Sequence, residues 1–306
     1  MAAKDVEEIV VSRKKVRVSN RAKEFYPAAG FTKGDMIEYY RAVGPALVPH
    51  LKNRAITLKR YPDGAEGSFF YEKQCPKHRP EWVRTVTVPR KDGKPIAYCV
   101  GWDLATLVWM ANLASIELHT SLAKASAVRR PTALVFDLDP GPPADILDCG
   151  EVALAIRKVL KKTGLECWPK TSGSKGMQLY VPLNTAVTFD DTKRVALALA
   201  RRMETDEPDR IVTTQAKVER VGKVLIDWSQ NDDHKTTVSV YSLRAKSRPT
   251  VSTPLDWREV SAACRKGDAS LLSFEAADVL KRVEKKGDLF EPVLKAKQKL
   301  PFDLAG

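Results

Sequence analysis

A chain of 306 residues with 43% hydrophobic content is long enough to bury a sizeable core, as one bilobed domain or two smaller ones, and reads as an ordinary soluble globular protein. No run approaches the roughly eighteen uninterrupted apolar residues of a membrane span, and acids stand near the amino terminus where a secretory signal would be apolar. Neither a membrane location nor secretion is therefore expected, and the cytoplasm is the expected compartment.

Lys and Arg total 51 against 38 Asp and Glu, a net charge of +13, which makes a polyanionic partner plausible without proving one. The five cysteines, Cys75, Cys99, Cys149, Cys167 and Cys264, are scattered singly. They suggest neither a disulfide framework nor a four-thiolate zinc site, and Cys75 and His78 are expected together in a surface loop.

Thr32 and Asp35 form a capping-box pattern ahead of Met36, Ile37, Tyr40 and Val43, so a helix is predicted from about Lys33 toward Pro45. Residues 54–61 and 68–73 flank the turn sequence Pro62-Asp63-Gly64 and read as a hairpin. Asp103 is placed to cap a helix that carries Leu104, Leu107, Val108 and Ala111 on one face.

Residues 133–139 then alternate like a strand, and Val152, Ile156, Val159 and Leu160 line a helix that Gly164 can terminate. Two strands, 165–170 and 177–183, surround a Ser/Gly loop. A helix over about 191–203 and a strand over 224–229 follow, with a further strand at 236–240. The order strand, helix, strand, strand, helix, strand is the split βαβ arrangement of ferredoxin-like and RNA-recognition-like folds, which polymerase palms share with many non-enzymes.

On the first of these strands, Asp137 and Asp139 project from the same face, with Cα atoms ~7 Å apart from the rise of an extended chain. Two ionised carboxylates so placed repel each other, and a divalent cation removes the penalty. Two Mg²⁺ or Mn²⁺ ions so held can activate an attacking hydroxyl and stabilise a leaving phosphate oxygen. Asp227 interrupts another apolar strand and is placed to complete the site, although pairing with Lys223 or Arg220 is an alternative. Ser172-Gly173-Ser174-Lys175-Gly176 supplies hydroxyls, approachable amides and one ammonium suited to a triphosphate, without the spacing or following helix of a Walker A loop. Arg244, in the Tyr241-Ser242-Leu243-Arg244 segment, can clamp a phosphate.

Taken in order, DLDP, TSGSKGMQLYVPL, VLIDWSQND and YSLR resemble the polymerase domain of bacterial non-homologous end-joining ligases, within the archaeo-eukaryotic primase superfamily. NRAKEFYP, TKGDMIEYY, FFYEKQ and the KTT and RPTV segments extend the likeness over nearly the whole chain. The resemblance implies an α+β primase-polymerase core. Its βαββαβ RNA-recognition-like catalytic module, residues 131–306, packs against an α/β module, residues 1–130, that takes the DNA 5′ phosphate and template.

By the same resemblance, Asp137, Asp139 and Asp227 are catalytic and hold two divalent metals, Mn²⁺ or Mg²⁺. Ser172, Lys175, Arg244, His119 and Gln178 contact the incoming nucleotide, Lys23 and Lys33 take the 5′ phosphate across a gap, and Phe69 and Phe70 meet the template. Gln178 stands where the family commonly has histidine, so no imidazolium serves the phosphates there. The implied activity is template-directed nucleotidyl transfer on gapped or 5′-phosphorylated DNA, with ribonucleotides preferred over deoxyribonucleotides. The expected protein is a stand-alone monomer, cooperating with a separate ligase in end joining or excision repair. The competing classes are a metal-dependent nuclease or phosphoesterase and a non-catalytic DNA-end binding module.

Overall fold

The Thr32 hydroxyl accepts from the Asp35 backbone N–H while the Asp35 carboxylate accepts from the Thr32 N–H, and α1 (Lys33–Leu51) begins directly behind this reciprocal cap. In the computed structural model, which describes residues 5–89 and 93–301, α1 runs on through Pro45 and Pro49, past its expected end. Leu47 and Leu51 are buried beyond Pro45, so packing outweighs the backbone hydrogen bonds that the prolines remove.

Ahead of α1, β1 (Val6–Val11) and β2 (Lys14–Ser19) form an antiparallel hairpin, and β3 (Glu24–Tyr26) pairs with β4 (Phe31–Thr32). The predicted hairpin after α1 forms from β5 (Arg54–Arg60) and β6 (Phe70–Glu72). It is followed by β7 (Thr85–Val88), β8 (Ile96–Gly101), α2 (Leu104–Asn112) capped by Asp103, and β9 (Ser115–Thr120). Cys75 and Cys99 correct the reading of isolated thiols. A disulfide joins them, because β8 brings Cys99 beside the segment after β6, where the Cys75 N–H donates to Ala97 O at 2.7 Å. Cys75 is buried, and only His78 of the expected surface-loop pair is exposed.

The second half follows the predicted order: β10 (Ala133–Pro140), α3 (Ile146–Lys162), β11 (Trp168–Thr171), β12 (Met177–Pro182), α4 (Phe189–Asp206), β13 (Ile211–Val212) and β14 (Val224–Asp227). The sheet order is β11-β12-β10-β14-β13, with β10 antiparallel to both neighbours, as the split βαβ arrangement requires. The two-residue β13 adds a parallel edge. The strand expected over 236–240 is only β15 (Thr237–Val238), paired with β9.

Two compact units result, and the chain passes between them more than once. The first holds residues up to Ser121 together with Thr236–Ser252 and Phe274–Asp288. The second holds Leu122–Lys235, Thr253–Ser273 and the residues from Leu289 onward. Two stretches of the 131–306 segment thus belong to the first unit. In that unit, β15, β9, β5, β8 and β7 lie in that order in a six-stranded sheet, with β6 also on β5. No described helix is long and apolar enough to cross a membrane.

Asn231, fully buried after β14, fixes the centre of the second sheet. Its amide donates to Val135 O at 2.7 Å and its carbonyl accepts from Val135 N at 2.9 Å, so one side chain satisfies both backbone groups of a β10 residue. Asn231→Ala strands both groups, and should lower the unfolding free energy by about 2–4 kcal/mol. Urea unfolding should show a lower midpoint at unchanged slope, and an unchanged midpoint would contradict this role.

Candidate active site

Strand register gathers the acids. Lys170 on β11 lies opposite Gln178 on β12, Gln178 opposite Asp137 on β10, and Asp137 opposite Asp227 on β14. Residues directly opposite on neighbouring strands share a sheet face, so these four form one row across the sheet. Asp139 stands two residues on from Asp137, on the same face. Burial raises the Asp137 carboxyl from 3.8 to about 7, with the Asp139 charge as the next cause. A hydrogen bond from Gln178 and the charge of Lys170 oppose the rise, and Asp227 adds to it.

A carboxyl that cannot ionise comfortably beside two further acids is the donor set that hard divalent cations relieve, and all of its ligand atoms are oxygens. Asp137 and Asp139 fit such ions. Asp227 is committed elsewhere: Oδ1 accepts from Ser229 N at 2.9 Å and Ser229 Oγ at 2.5 Å, and Oδ2 from Gln230 Nε2 at 2.9 Å. Lys235 Nζ in turn donates to Ser229 Oγ at 2.5 Å. The alternative pairing of Asp227 with Lys223 or Arg220 does not occur among these bonds, and Lys223 Nζ donates instead to Pro208 O. Among the described residues, the three-residue grouping with ligand atoms all within 4.8 Å is Asp232, Asp233 and His234, in which Asp232 already pairs with Lys193 at 2.7 Å.

The Ser/Gly loop is built around Ser172. Its N–H donates to Gly176 O at 2.8 Å, and its Oγ accepts from Ser174 N at 3.2 Å and Gly176 N at 3.1 Å. A methyl group at Gly176 would stand 2.1 Å from Leu138 O, so the loop's close approach to β10 needs glycine. Lys175 is exposed at the tip. Gln178 is buried, and its Oε1 has no hydrogen-bond partner among the described residues.

The remaining predicted residues lie in the first unit. His119 and Arg244 come together on the buried Glu117 carboxylate: His119 Nε2 stands 2.9 Å from Oε2, and Arg244 Nε 3.3 Å from the same oxygen. Phe69 and Phe70 are 51% and 45% exposed, so neither is core, although adjacent residues within a strand point to opposite faces. The register explains it: Phe70 opens β6 and Phe69 precedes the ladder. Lys59 lies 4.1 Å from the Phe69 ring centre, and Arg60 5.1 Å from that of Phe70.

Lys23 donates to Pro62 O at 2.7 Å and to Asp63 Oδ1 at 2.8 Å while remaining partly exposed. Lys33 is buried, donating to Ser19 O at 2.7 Å and Asn112 Oδ1 at 2.8 Å. Burial lowers its ammonium to about 8, with the charges of Lys23 and Arg60 contributing in turn. Sequence reading missed Glu117, Lys170, Tyr71, Lys59 and Arg60. Tyr71 stands in the same FFYEKQ strand as the two phenylalanines and is 54% exposed, so the aromatic run was its visible signal.

Without metal, native Asp137 keeps a proton that the unfolded chain releases between pH 3.8 and about 7. The group therefore costs stability that grows across this window and is full above it. Asp137→Asn should flatten this dependence and raise the melting temperature in chelator at pH 8, by about 2–4 °C per kcal/mol relieved. Thermal scans from pH 4 to 8 check this, and parallel profiles for the two proteins would overturn it.

A family model described as "LigD, primase-polymerase domain" matches residues 32–290. The chain is 37% identical over 289 residues to the multifunctional non-homologous end joining DNA repair protein LigD of Mycobacterium tuberculosis H37Rv, covering 92% of this chain and 37% of that protein. It is 33% identical over 257 residues to the bifunctional LigD of Bacillus subtilis, covering 84% of this chain and 40% of that protein. It thus spans well under half the length of these relatives. The solved polymerase domain of Mycobacterium tuberculosis Ligase D in complex with DNA superposes with a TM-score of 0.85 at 35% identity, over 92% of this chain and 98% of that one. A family match across most of the chain, joined to the acid-bearing palm-like sheet, shows that the chain belongs to the LigD primase-polymerase domain family.

Proposed function

We propose that the chain is a template-directed nucleotidyltransferase that fills short gaps or extends DNA ends in repair, by end joining or excision repair, and prefers ribonucleotides. The observation that carries the reading is the placement of Asp137 and Asp139 on a central strand, with Asp227 directly opposite Asp137. Bound there, two Mn²⁺ or Mg²⁺ ions would supply Lewis acidity to the attacking hydroxyl and the departing phosphate oxygen. Asp137 and Asp139 would hold the metals, with Asp227, now bonded to Ser229 and Gln230, as the further carboxylate opposite Asp137.

Ser172 and Lys175 bind the triphosphate. The Ser172 Oγ shapes the loop by accepting from Ser174 and Gly176, and Lys175 brings an ammonium to the exposed tip. Gln178 holds Asp137 and offers its amide to the nucleotide, and His119 and Arg244 of the Glu117 cluster are assigned to nucleotide binding as well. Lys23 takes the DNA 5′ phosphate, with Lys33 adding charge from beneath, and Phe69 and Phe70 stack on template bases. Residues 1–130 carry these DNA contacts and 131–306 the catalytic acids. The protein acts as a cytoplasmic monomer, with a separate ligase sealing its product.

The test is a gapped, 5′-phosphorylated duplex with Mn²⁺ and either ribonucleotides or deoxyribonucleotides. The wild type should extend the primer, faster with ribonucleotides, and Asp137→Ala should lose about a thousandfold or more, as removal of a metal ligand implies. Products shorter than the primer would mark a nuclease, and no extension under any condition would end the polymerase reading. Lys23→Ala should weaken binding to phosphorylated gaps and reduce the salt slope by roughly one unit. An equal loss on unphosphorylated DNA would show that Lys23 does not read the end.

A further inference from the structure

Glu117 is a buried acid in the middle of β9. Its two oxygens are served by different groups. Oε2 faces His119 Nε2 at 2.9 Å and Arg244 Nε at 3.3 Å. Oε1 faces the Tyr61 hydroxyl at 3.4 Å, Ala245 N at 3.3 Å and Lys59 Nζ at 3.5 Å. One carboxylate thereby ties β5, β9 and the segment that follows Tyr241 together.

The chemistry of the Oε2 side is specific. A carboxylate only accepts, so the facing His119 nitrogen must carry hydrogen, and a neutral ring then has its lone pair on Nδ1. We propose that Glu117 is a positioning residue for nucleotide binding: it holds His119 in the Nε2–H tautomer and anchors Arg244, so that the pair meets the ligand with one acceptor nitrogen and one guanidinium. This rests on the reading of the chain as a nucleotidyltransferase.

Charge and burial agree with the geometry. Burial alone would raise the Glu117 carboxyl, but the His119 hydrogen bond and the charges of Arg244, His119 and Lys59 carry it well below the usual carboxylate range. His119 is itself lowered, first by burial. The Glu117 hydrogen bond and charge oppose that shift, and the Arg244 and Lys59 cations reinforce it. The groups facing the ring are thus Glu117, Arg244 and Lys59, with the Tyr71 ring edge-on at 6.0 Å between centroids. At neutral pH the cluster sets one carboxylate, Glu117, against two cations, Arg244 and Lys59.

A residue that merely supported the fold would leave the imidazole tautomer and the balance between KM and kcat untouched. The experiment compares wild type, Glu117→Gln and Glu117→Asp by long-range ¹H–¹⁵N spectra of the histidine rings and by nucleotide kinetics on a gapped duplex. Wild-type His119 should show an unprotonated Nδ1 at pH 7.5. Glu117→Gln should lower the His119 titration midpoint further, because the charge favouring the imidazolium is gone, and should raise the nucleotide KM on the order of tenfold. The value of kcat should change far less. Glu117→Asp keeps the charge at shorter reach and should lie between, which separates positioning from loss of fold. An Nδ1–H tautomer in the wild type, or unchanged KM in both folded variants, overturns the proposal. Wild-type protein with the stated tautomer but no extension activity would instead defeat the nucleotidyltransferase reading.

Discussion

Like charges set opposite one another on an apolar sheet are the constraint around which the second unit is organised. Asp137 and Asp227 face each other across a strand pair, and Asp139 adds a third acid to the same face. The fold leaves Asp137 and Asp139 only partly exposed to water and buries Asp227. It distributes the load: Asp137 is driven toward its neutral form, Gln178 and Lys170 draw it back, and Asp227 is occupied by Ser229 and Gln230. An electrostatic strain of this kind is useful where cations are to bind, since relief of the strain adds to their affinity.

The first unit meets the opposite problem with the opposite sign. Lys59 and Arg244 are held close together at low exposure, and Glu117 keeps them there. In neither place does a single ion pair act as a simple staple. Each buried charge is tolerated because several partners share it, and an arrangement so shared tolerates few single replacements.

The parts of this architecture written locally were legible. The Thr32–Asp35 and Asp103 caps, the β5–β6 hairpin and the βαββαβ order each depend on residues a few positions apart. What escaped was long-range. The Lys170–Gln178–Asp137–Asp227 row exists only once strand register is known, and Glu117 became informative only when Arg244 arrived from 127 positions later. Cys75 and Cys99 are hidden for the same reason, since neither spacing nor composition marks the pair. The exposure of both phenylalanines follows from where the β6 ladder starts, which alternation alone cannot supply.

The interleaved path of the chain bears on how the protein is made. His50, near the end of α1, bonds to Asp288 at 2.7 Å, and the Tyr241 hydroxyl bonds to the same carboxylate at 2.7 Å. The first unit therefore waits for some of its last-synthesised residues, while strands β10 to β14 leave the ribosome as an uninterrupted block. Vectorial synthesis ordinarily completes amino-terminal units first, and here the first unit is completed only at Asp288, directly before the Leu289 stretch of the second. Nascent chains halted before Asp288 would hold the palm-like sheet while the first unit still lacked the clasp that His50 and Tyr241 make.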